Sequence, residues 1–363
     1  ILNWIAKERR PTDLFVALDL PTGLHPSEGH APGAVFSAEI TVALGSVKSG
    51  CLQDQALPYV GRLRGVPIDF GTLPPKSDAN FLLPSEACSW IRPRAANLHK
   101  HSAGILHLWA GSTTYPGAAL LASEGALRSG AGYVRLFTDR PATPSIPGRL
   151  PELLLTPHAE GTAPDLAAFQ NQAQAFVVGP GLPPSAALED FLSRLLASAK
   201  VPVVLDAGAL DLVASHPEWL ESTKAQVILT PHTGELARLI GQKVSDRAEA
   251  ARIWLDRHPH TILVAKGPHT LVASADHPFS HNGTGGPAQA TAGMGDLLAG
   301  IVGGLLASGY APFDAACLAV AWHGLAADLD ERDGGPVVLA SEVARHLPAA
   351  WRILAGRATS SLP

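Results

Sequence analysis

Charge and sulfur are both scarce in this chain. Of its 363 residues only 16% are Asp, Glu, Lys or Arg, against about 25% in an average globular domain. The 27 basic and 32 acidic residues leave a formal net charge of −5, and no basic block could track a phosphate backbone, which argues against nucleic acid as a partner. Three cysteines, Cys51, Cys88 and Cys317, are too few and too scattered for a disulfide framework or a metal-ligand pattern. Read as reduced thiols, they suit a cytoplasmic protein. No run reaches the roughly 18 consecutive apolar residues of a membrane span. The nearest approach, 297–308, is glycine-rich and follows an aspartate, so it reads as a buried helix. Only one methionine is present, Met294, and the chain opens on Ile1 with no signal-peptide pattern. A fragment lacking its N-terminal portion is therefore expected.

Apolar residues, by contrast, make up 46% of the chain. That is enough for a large core and excludes general disorder. The length suits two domains, or one domain and a piece of another. Residues 1–70 read as strand, loop, strand, with apolar runs at 14–19 and 40–44. Residues 71–98 hold Pro74, Pro75, Pro84 and Pro93 with little periodicity, which is linker chemistry. From Gly104 onward short β-rich runs at 105–109, 133–137, 175–178, 201–205, 226–229, 262–265 and 270–273 alternate with helical stretches at 117–129, 185–198, 234–240, 247–256, 295–307, 313–329 and 341–353. That alternation predicts an α/β fold, a mostly parallel sheet covered on both faces by helices. The runs flanking 266–269 predict a hairpin at one edge of the sheet.

In such sheets ligands bind beyond the carboxyl ends of the strands. The residues there are Gly111-Ser112, Gly179-Pro180-Gly181, Asp206-Ala207-Gly208, Thr230-Pro231-His232, Lys266-Gly267 and the segment 283–296. Their concentration of Gly, Pro, Asp, His and Lys is the main functional signal. Its strongest local form is Gly293-Met294-Gly295-Asp296 at the head of an apolar helix. Unpaired amides at a helix start, bared by glycine, form an anion hole, and an aspartate beside it can take a proton from a hydroxyl that attacks a phosphoryl group. The same aspartate could equally be a helix cap. Lys266 could reach a phosphate as a point charge or be a solvated turn residue. His232 and Glu235 could bind a ligand or merely start a helix. Gly179-Pro180-Gly181 could bring backbone close to a ligand or simply end a strand.

As an ordered set these segments resemble a known family. Residues 99–357 resemble the ADP-dependent NAD(P)H-hydrate dehydratases of the ribokinase-like superfamily. The resemblance runs through Tyr115-Pro116-Gly117-Ala118-Ala119, Leu127-Arg128-Ser129-Gly130-Ala131-Gly132, Pro151-Glu152, Gly179-Pro180-Gly181-Leu182, Leu205-Asp206-Ala207, Thr230-Pro231-His232-Thr233-Gly234-Glu235, Lys266-Gly267 and the Met294 segment. Residues 1–75 resemble the C-terminal part of an NAD(P)H-hydrate epimerase domain, a partial Rossmann-like segment, through 16–24 and Lys48-Ser49-Gly50, with 76–98 as linker. The resemblance implies a three-layer αβα domain with a mostly parallel central sheet. It implies that Ala118, Gly181 and His232 contact the hydrated nicotinamide nucleotide. Lys266, Gly267, Pro268, His269, Thr270 and Gly295 would contact the adenine nucleotide, and Asp296 would act as base and face the substrate. In the epimerase segment Asp19 would face substrate and Thr22 would help hold potassium. The implied co-substrate is ADP with Mg²⁺, with K⁺ needed only by a complete epimerase. The implied substrates are NADHX and NADPHX, and the implied assembly is a homo-oligomer, up to a tetramer.

Four positions depart from the family pattern. Met294 stands where Thr or Ser is usual, Gly208 where Asp is usual, Pro183 where Gly is usual and Gly286 where Asn is common. Loss of the hydroxyl at Met294 predicts weaker phosphoryl binding through backbone amides alone. Two rivals stay open: a sugar or vitamin-precursor kinase of the same superfamily, in which asparagine would replace His232, and a nucleotide binder without catalysis.

Overall fold

The computed structural model of the protein describes residues 8, 10, 12–68, 79–146, 148–335 and 337–356. Two parallel arrangements of strands account for them. The smaller is a three-stranded sheet of β1 (Val16–Leu18), β2 (Ile40–Leu44) and β3 (Arg62–Val66), all parallel. Its small core gathers Leu24, Ala43, Cys51, Leu52, Ala56, Val60 and Leu63. The larger has ten strands: β4 (Ala79–Leu82), β5 (Ile105–Trp109), β6 (Tyr133–Asp139), β7 (Leu154–His158), β8 (Ala175–Val178), β9 (Val203–Leu205), β10 (Val227–Leu229), β11 (Thr261–Ala265), β12 (Leu271–Ser274) and β13 (His277–Asn282). They lie in the order β4-β13-β12-β11-β10-β9-β8-β5-β6-β7. Only the β11–β12 and β12–β13 pairs are antiparallel.

Every central strand is buried on both faces, as a sheet covered on both sides requires. Leu106, Leu108, Val177, Val204 and Ile228 face one core. Trp109, Phe176, Val178, Val203, Leu205, Val227 and Leu229 face the other, following the two-residue period of a strand. The first core is closed by helices α1 (Pro116–Arg128), α6 (Met294–Ala307), α7 (Pro312–Gly334) and α8 (Ala340–Leu354). The second is closed by α2 (Ala186–Ser198), α3 (Gly208–Ser215), α4 (Thr233–Ile240) and α5 (Arg247–Arg257). The three-layer expectation therefore holds. The glycines of α6 serve its crossing with α1: a Cβ on Gly300 would overlap the Ala122 carbonyl, and one on Gly304 the Ser129 hydroxyl. Among the described residues no helix is long and apolar enough to cross a membrane.

The hairpin expected at an edge is real but internal, because β13 and β4 extend the sheet beyond β12. The sequence of β13, HPFSHN, is too polar to be read as a strand. β4 arises inside the stretch read as linker and pairs in parallel with β13, Phe279 opposite Ala79; residues 69–78 lie outside the described residues. The other edge, β7, went unpredicted because Pro157 interrupts it, a residue that an edge strand tolerates.

Candidate active site

Strand β5 continues outward through β6 to β7, while β8 returns to its other side, so the sheet changes direction between β5 and β8. Such a switch point opens a crevice at the carboxyl ends of the strands. Gly111 (φ 76°) and Gly181 (φ 67°) turn the chain there in left-handed conformations. The Gly111 N–H donates to the Pro180 carbonyl at 2.8 Å, and the Ser112 hydroxyl donates to the Gly181 carbonyl at 2.9 Å. An added Cβ on Gly181 would lie 2.6 Å from the Ala118 Cβ. Two of the three residues expected to contact the hydrated nicotinamide, Ala118 and Gly181, are thus neighbours.

Along the same edge, the segments after β9, β10 and β11 bring three charged groups together: Asp206, Glu235 and Lys266. Lys266 Nζ lies 2.7 Å from Asp206 Oδ1 and 3.8 Å from Glu235 Oε2. The Thr230 hydroxyl donates to Asp206 Oδ1 at 2.8 Å, fixing the carboxylate. His232 starts α4 as its cap: its Nδ1 accepts the Gly234 N–H at 2.9 Å, while Glu235 Oε2 accepts the His232 N–H at 2.8 Å. The imidazole itself is 56% exposed, with its Nε2 3.6 Å from Glu235 Oε1. A bridge between His232 and Lys266 carries the sheet pairing one step past β10 and β11, and the Lys266 N–H donates to the Pro231 carbonyl at 2.8 Å.

Asp296 closes the cluster from the first turn of α6, whose N-cap is Gly293 (φ 90°) and whose leading amides have no side-chain cap. An added Cβ on Gly295 would lie 3.1 Å from Lys266 Nζ, so glycine there lets the lysine lie against the helix start. Burial first, and then the charge of Asp206, push the Asp296 carboxyl up to about 7; Lys266 opposes this and Glu235 adds to it. Lys266 is itself held above its ordinary value. Burial works against its charge, but Asp206, Glu235 and Asp296 together outweigh burial. Asp206 and Glu235 present carboxyl oxygens beside Lys266, hard donors of the kind that a divalent cation accompanying a phosphate takes.

The turn 266–270 is tightly shaped. Gly267 has φ 152° and His269, unusually for a non-glycine, has φ 50°. The Thr270 hydroxyl donates to the Gly267 carbonyl at 2.9 Å. Burial, chiefly, pushes the His269 imidazole down to about 4, so it is neutral at physiological pH. The sequence pointed to Asp206 by its place directly after a strand and to Glu235 as a ligand residue or helix-start acid, but gave neither a role, and it gave no signal for Arg247.

Asp19 and Thr22 belong to the three-stranded sheet instead. Asp19 has φ 72°, accepts Lys48 Nζ at 2.5 Å, and is held below the usual carboxylate range chiefly by that hydrogen bond. Thr22 is exposed, and its carbonyl accepts the Phe36 N–H at 2.9 Å. Nearby, His25, Glu28 and His30 form a three-residue group of metal-ligand type, but His25 Nδ1 already accepts the Glu28 N–H at 3.1 Å.

Residues 106–349 match the family model described as NAD(P)H-hydrate dehydratase. The chain belongs to the NAD(P)H-hydrate dehydratase family. It is 33% identical over 348 residues to the bifunctional NAD(P)H-hydrate repair enzyme Nnr of Salinibacter ruber, an alignment covering 90% of this chain and 63% of that protein. The chain thus spans less than two thirds of that relative's length. Among solved structures it resembles the ADP/ATP-dependent NAD(P)H-hydrate dehydratase of Bacillus subtilis co-crystallised with ATP/Mg²⁺, with TM-score 0.66, 33% identity and coverage of 76% of this chain and 98% of that one. A ribokinase-like superfamily protein of Enterococcus faecalis superposes with TM-score 0.68 at 25% identity, covering 78% of this chain and 99% of that one.

Within this dehydratase-family chain the departures acquire physical reasons. A Cβ at Gly208 would overlap the Leu182 carbonyl and come within 3.3 Å of the Pro183 backbone, so the loop after β8 occupies the space that an aspartate would need. A Cβ at Gly286 would overlap the Arg62 guanidinium, which reaches in from the smaller sheet to pair with Glu331. Met294, at the first turn of α6, is 8% exposed and its side chain joins the first core.

Proposed function

We propose that the chain dehydrates (6S)-NADHX and NADPHX to NADH and NADPH, consuming ADP and releasing AMP and phosphate. The observation that carries this reading is Asp296, a carboxyl raised to about 7 at an uncapped helix start and beside Lys266. Its ionised form accepts the proton of the C6 hydroxyl as that oxygen attacks the terminal phosphoryl of ADP. AMP leaves. The phosphate ester then departs from C6 with the C–O electron pair, assisted by the ring nitrogen, and loss of the C5 proton restores the dihydronicotinamide. The leading amides of α6 and Lys266 oppose the charge growing on the phosphoryl oxygens. Mg²⁺, held with the phosphates by Asp206 and Glu235, would supply further neutralisation when bound. Ala118, Gly181 and His232 orient the hydrate, and 266–270 with Gly295 receive the adenine nucleotide.

The family's nucleotide dependence leaves ADP and ATP both to be tried; we favour ADP. We assign 79–356 to the dehydratase unit, since β4 belongs to its sheet. We assign the smaller sheet to an epimerase-derived unit, in which Asp19 would face substrate and Thr22 would help hold a potassium ion. A homo-oligomer of dehydratase units, up to a tetramer, in the cytoplasm completes the reading. His232 disfavours the sugar-kinase alternative. The test is the near-ultraviolet absorbance of the dihydronicotinamide ring after mixing protein, S-NADHX, Mg²⁺ and ADP. A rise that requires ADP supports the dehydratase. Folded protein giving no rise with ADP or ATP sinks it in favour of a non-catalytic binder.

A further inference from the structure

We propose that Asp54, on the smaller unit, positions the 266–270 turn through Arg247 and thereby sets the chain's affinity for ADP. The proposal rests on reading that turn as the nucleotide loop. Arg247, the first residue of α5, is almost fully buried, with a side chain 6% exposed. Its guanidinium grips the turn on both flanks: Nη2 donates to the Pro268 carbonyl at 2.5 Å and Nη1 to the Ala265 carbonyl at 3.4 Å. It also lies flat against Gly267, where an added Cβ would come 2.6 Å from Nη1. Lys266 is therefore bracketed by two carbonyls that one guanidinium holds.

That guanidinium is in turn held by Asp54. Nε reaches Asp54 Oδ1 and Oδ2 at 3.0 Å, and Nη2 reaches Oδ1 at 2.7 Å. Asp54 Oδ2 also accepts the Arg247 N–H at 2.9 Å. The clasp is reciprocal, since the Asp54 N–H donates to Asp246 Oδ2 at 3.2 Å, and Asp246 Oδ1 caps α5 through the Glu249 N–H at 2.9 Å. A bidentate carboxylate fixes the plane of a guanidinium, and here that plane decides where Ala265 and Pro268 present their carbonyls. Loss of the Asp54 charge would leave a buried cation that recovers its partner by moving, and the turn would move with it. Asp54 bonds Arg247 and Asp246 rather than the 266–270 turn itself, so its role is positional.

The test compares wild-type protein with Asp54→Asn, Asp54→Glu and Glu331→Gln. Glu331 pairs with Arg62 across the same junction but away from the turn. Calorimetric Kd for ADP with Mg²⁺ is read beside KM and kcat. Asp54→Asn should weaken ADP binding about tenfold, the scale of one charge-assisted hydrogen bond, with the KM for S-NADHX and the kcat at saturating ADP unchanged within about twofold. Asp54→Glu should recover most of the loss, and Glu331→Gln should leave ADP affinity alone. Unchanged ADP affinity in folded Asp54→Asn overturns the proposal, as does an equal loss in Glu331→Gln, which would mark mere loosening of the junction. If Asp54→Asn does not fold, Arg247→Lys, which keeps the charge but cannot span both carbonyls, carries the same expectation and the same refutation. Wild-type protein that binds no ADP would instead sink the dehydratase reading itself, whereas ADP binding that ignores Asp54 sinks only the clasp.

Discussion

Replacing Asp296 with asparagine should stop catalysis and stabilise the fold, and the two effects have one cause. The carboxyl is raised from 3.8 to about 7, so the native state holds a proton that the unfolded chain releases. Below the unfolded value, near 4, both states are protonated and the residue costs nothing. As pH rises from about 4 to about 7 the unfolded state gains a freely ionised carboxylate that the native state resists, and the penalty grows; above about 7 it is complete. Full conversion at about 1.36 kcal/mol per pH unit gives roughly 4 kcal/mol. Partial access of water to Asp296 reduces this to about 1–2 kcal/mol. For a unit of this size that raises Tm by about 2–4 °C near pH 8, with the gain fading towards pH 4. Turnover should fall by about 10²–10⁴, the contribution of a positioned base. Calorimetric melts of wild type and Asp296→Asn across that pH range, beside the ADP-dependent assay, test both. A variant that loses activity but melts lower at pH 8 would show Asp296 to be a structural anion paired with Lys266, and the reasoning would fail.

Other perturbations follow from the same contacts. Lys266→Met removes the cation that holds Asp296 down, so the acidic limb of kcat/KM against pH should move to higher pH; a limb that stays put would separate the lysine from the base. The same change leaves the buried Asp206 without its ion-pair partner and should cost about 3–5 kcal/mol in denaturant titration. Gly208→Asp, though it restores the family's usual residue, should destabilise by about 2 kcal/mol or more through overlap with the Leu182 carbonyl; a stable and more active variant would refute that. Met294→Thr exchanges a core side chain for a hydroxyl near the anion hole. It should lower Tm while tightening ADP, read by melting and by Kd, and an unchanged Kd would show that the backbone amides alone suffice.

Much of the fold was legible in the sequence because β5, β6, β8, β9, β10 and β11 are apolar runs closed by turn residues. The strands that escaped were those whose reason to form lies elsewhere in the molecule. β13 is largely polar in composition and forms because β12 and β4 flank it, and β4 is four residues in a proline-rich stretch. Asp296, the proposed base, could be named from its motif, but not its proton affinity. That depends on Asp206 and Glu235, which arrive from two other loops, and no spacing in the sequence records their convergence.

The least legible features are those joining the two units, and they bear on how the departures should be read. Taken one by one, Gly286, Gly208 and Pro183 look like erosion of a family pattern. In three dimensions Gly208 accommodates the Leu182–Pro183 backbone, and Gly286 leaves room for Arg62 to reach Glu331. Each missing side chain is matched by a neighbour that fills its place, as expected of a site that has shifted its packing while remaining well ordered. Decay would leave holes and unpaired charges around Asp296. Instead Lys266, Asp206, Glu235 and Thr230 are mutually bonded, and the turn bearing Lys266 is held by a buried arginine with a carboxylate of its own. Mechanical integrity of that kind favours a working enzyme over a degenerate binder, and on the proposed clasp the smaller unit would support the active site through Asp54.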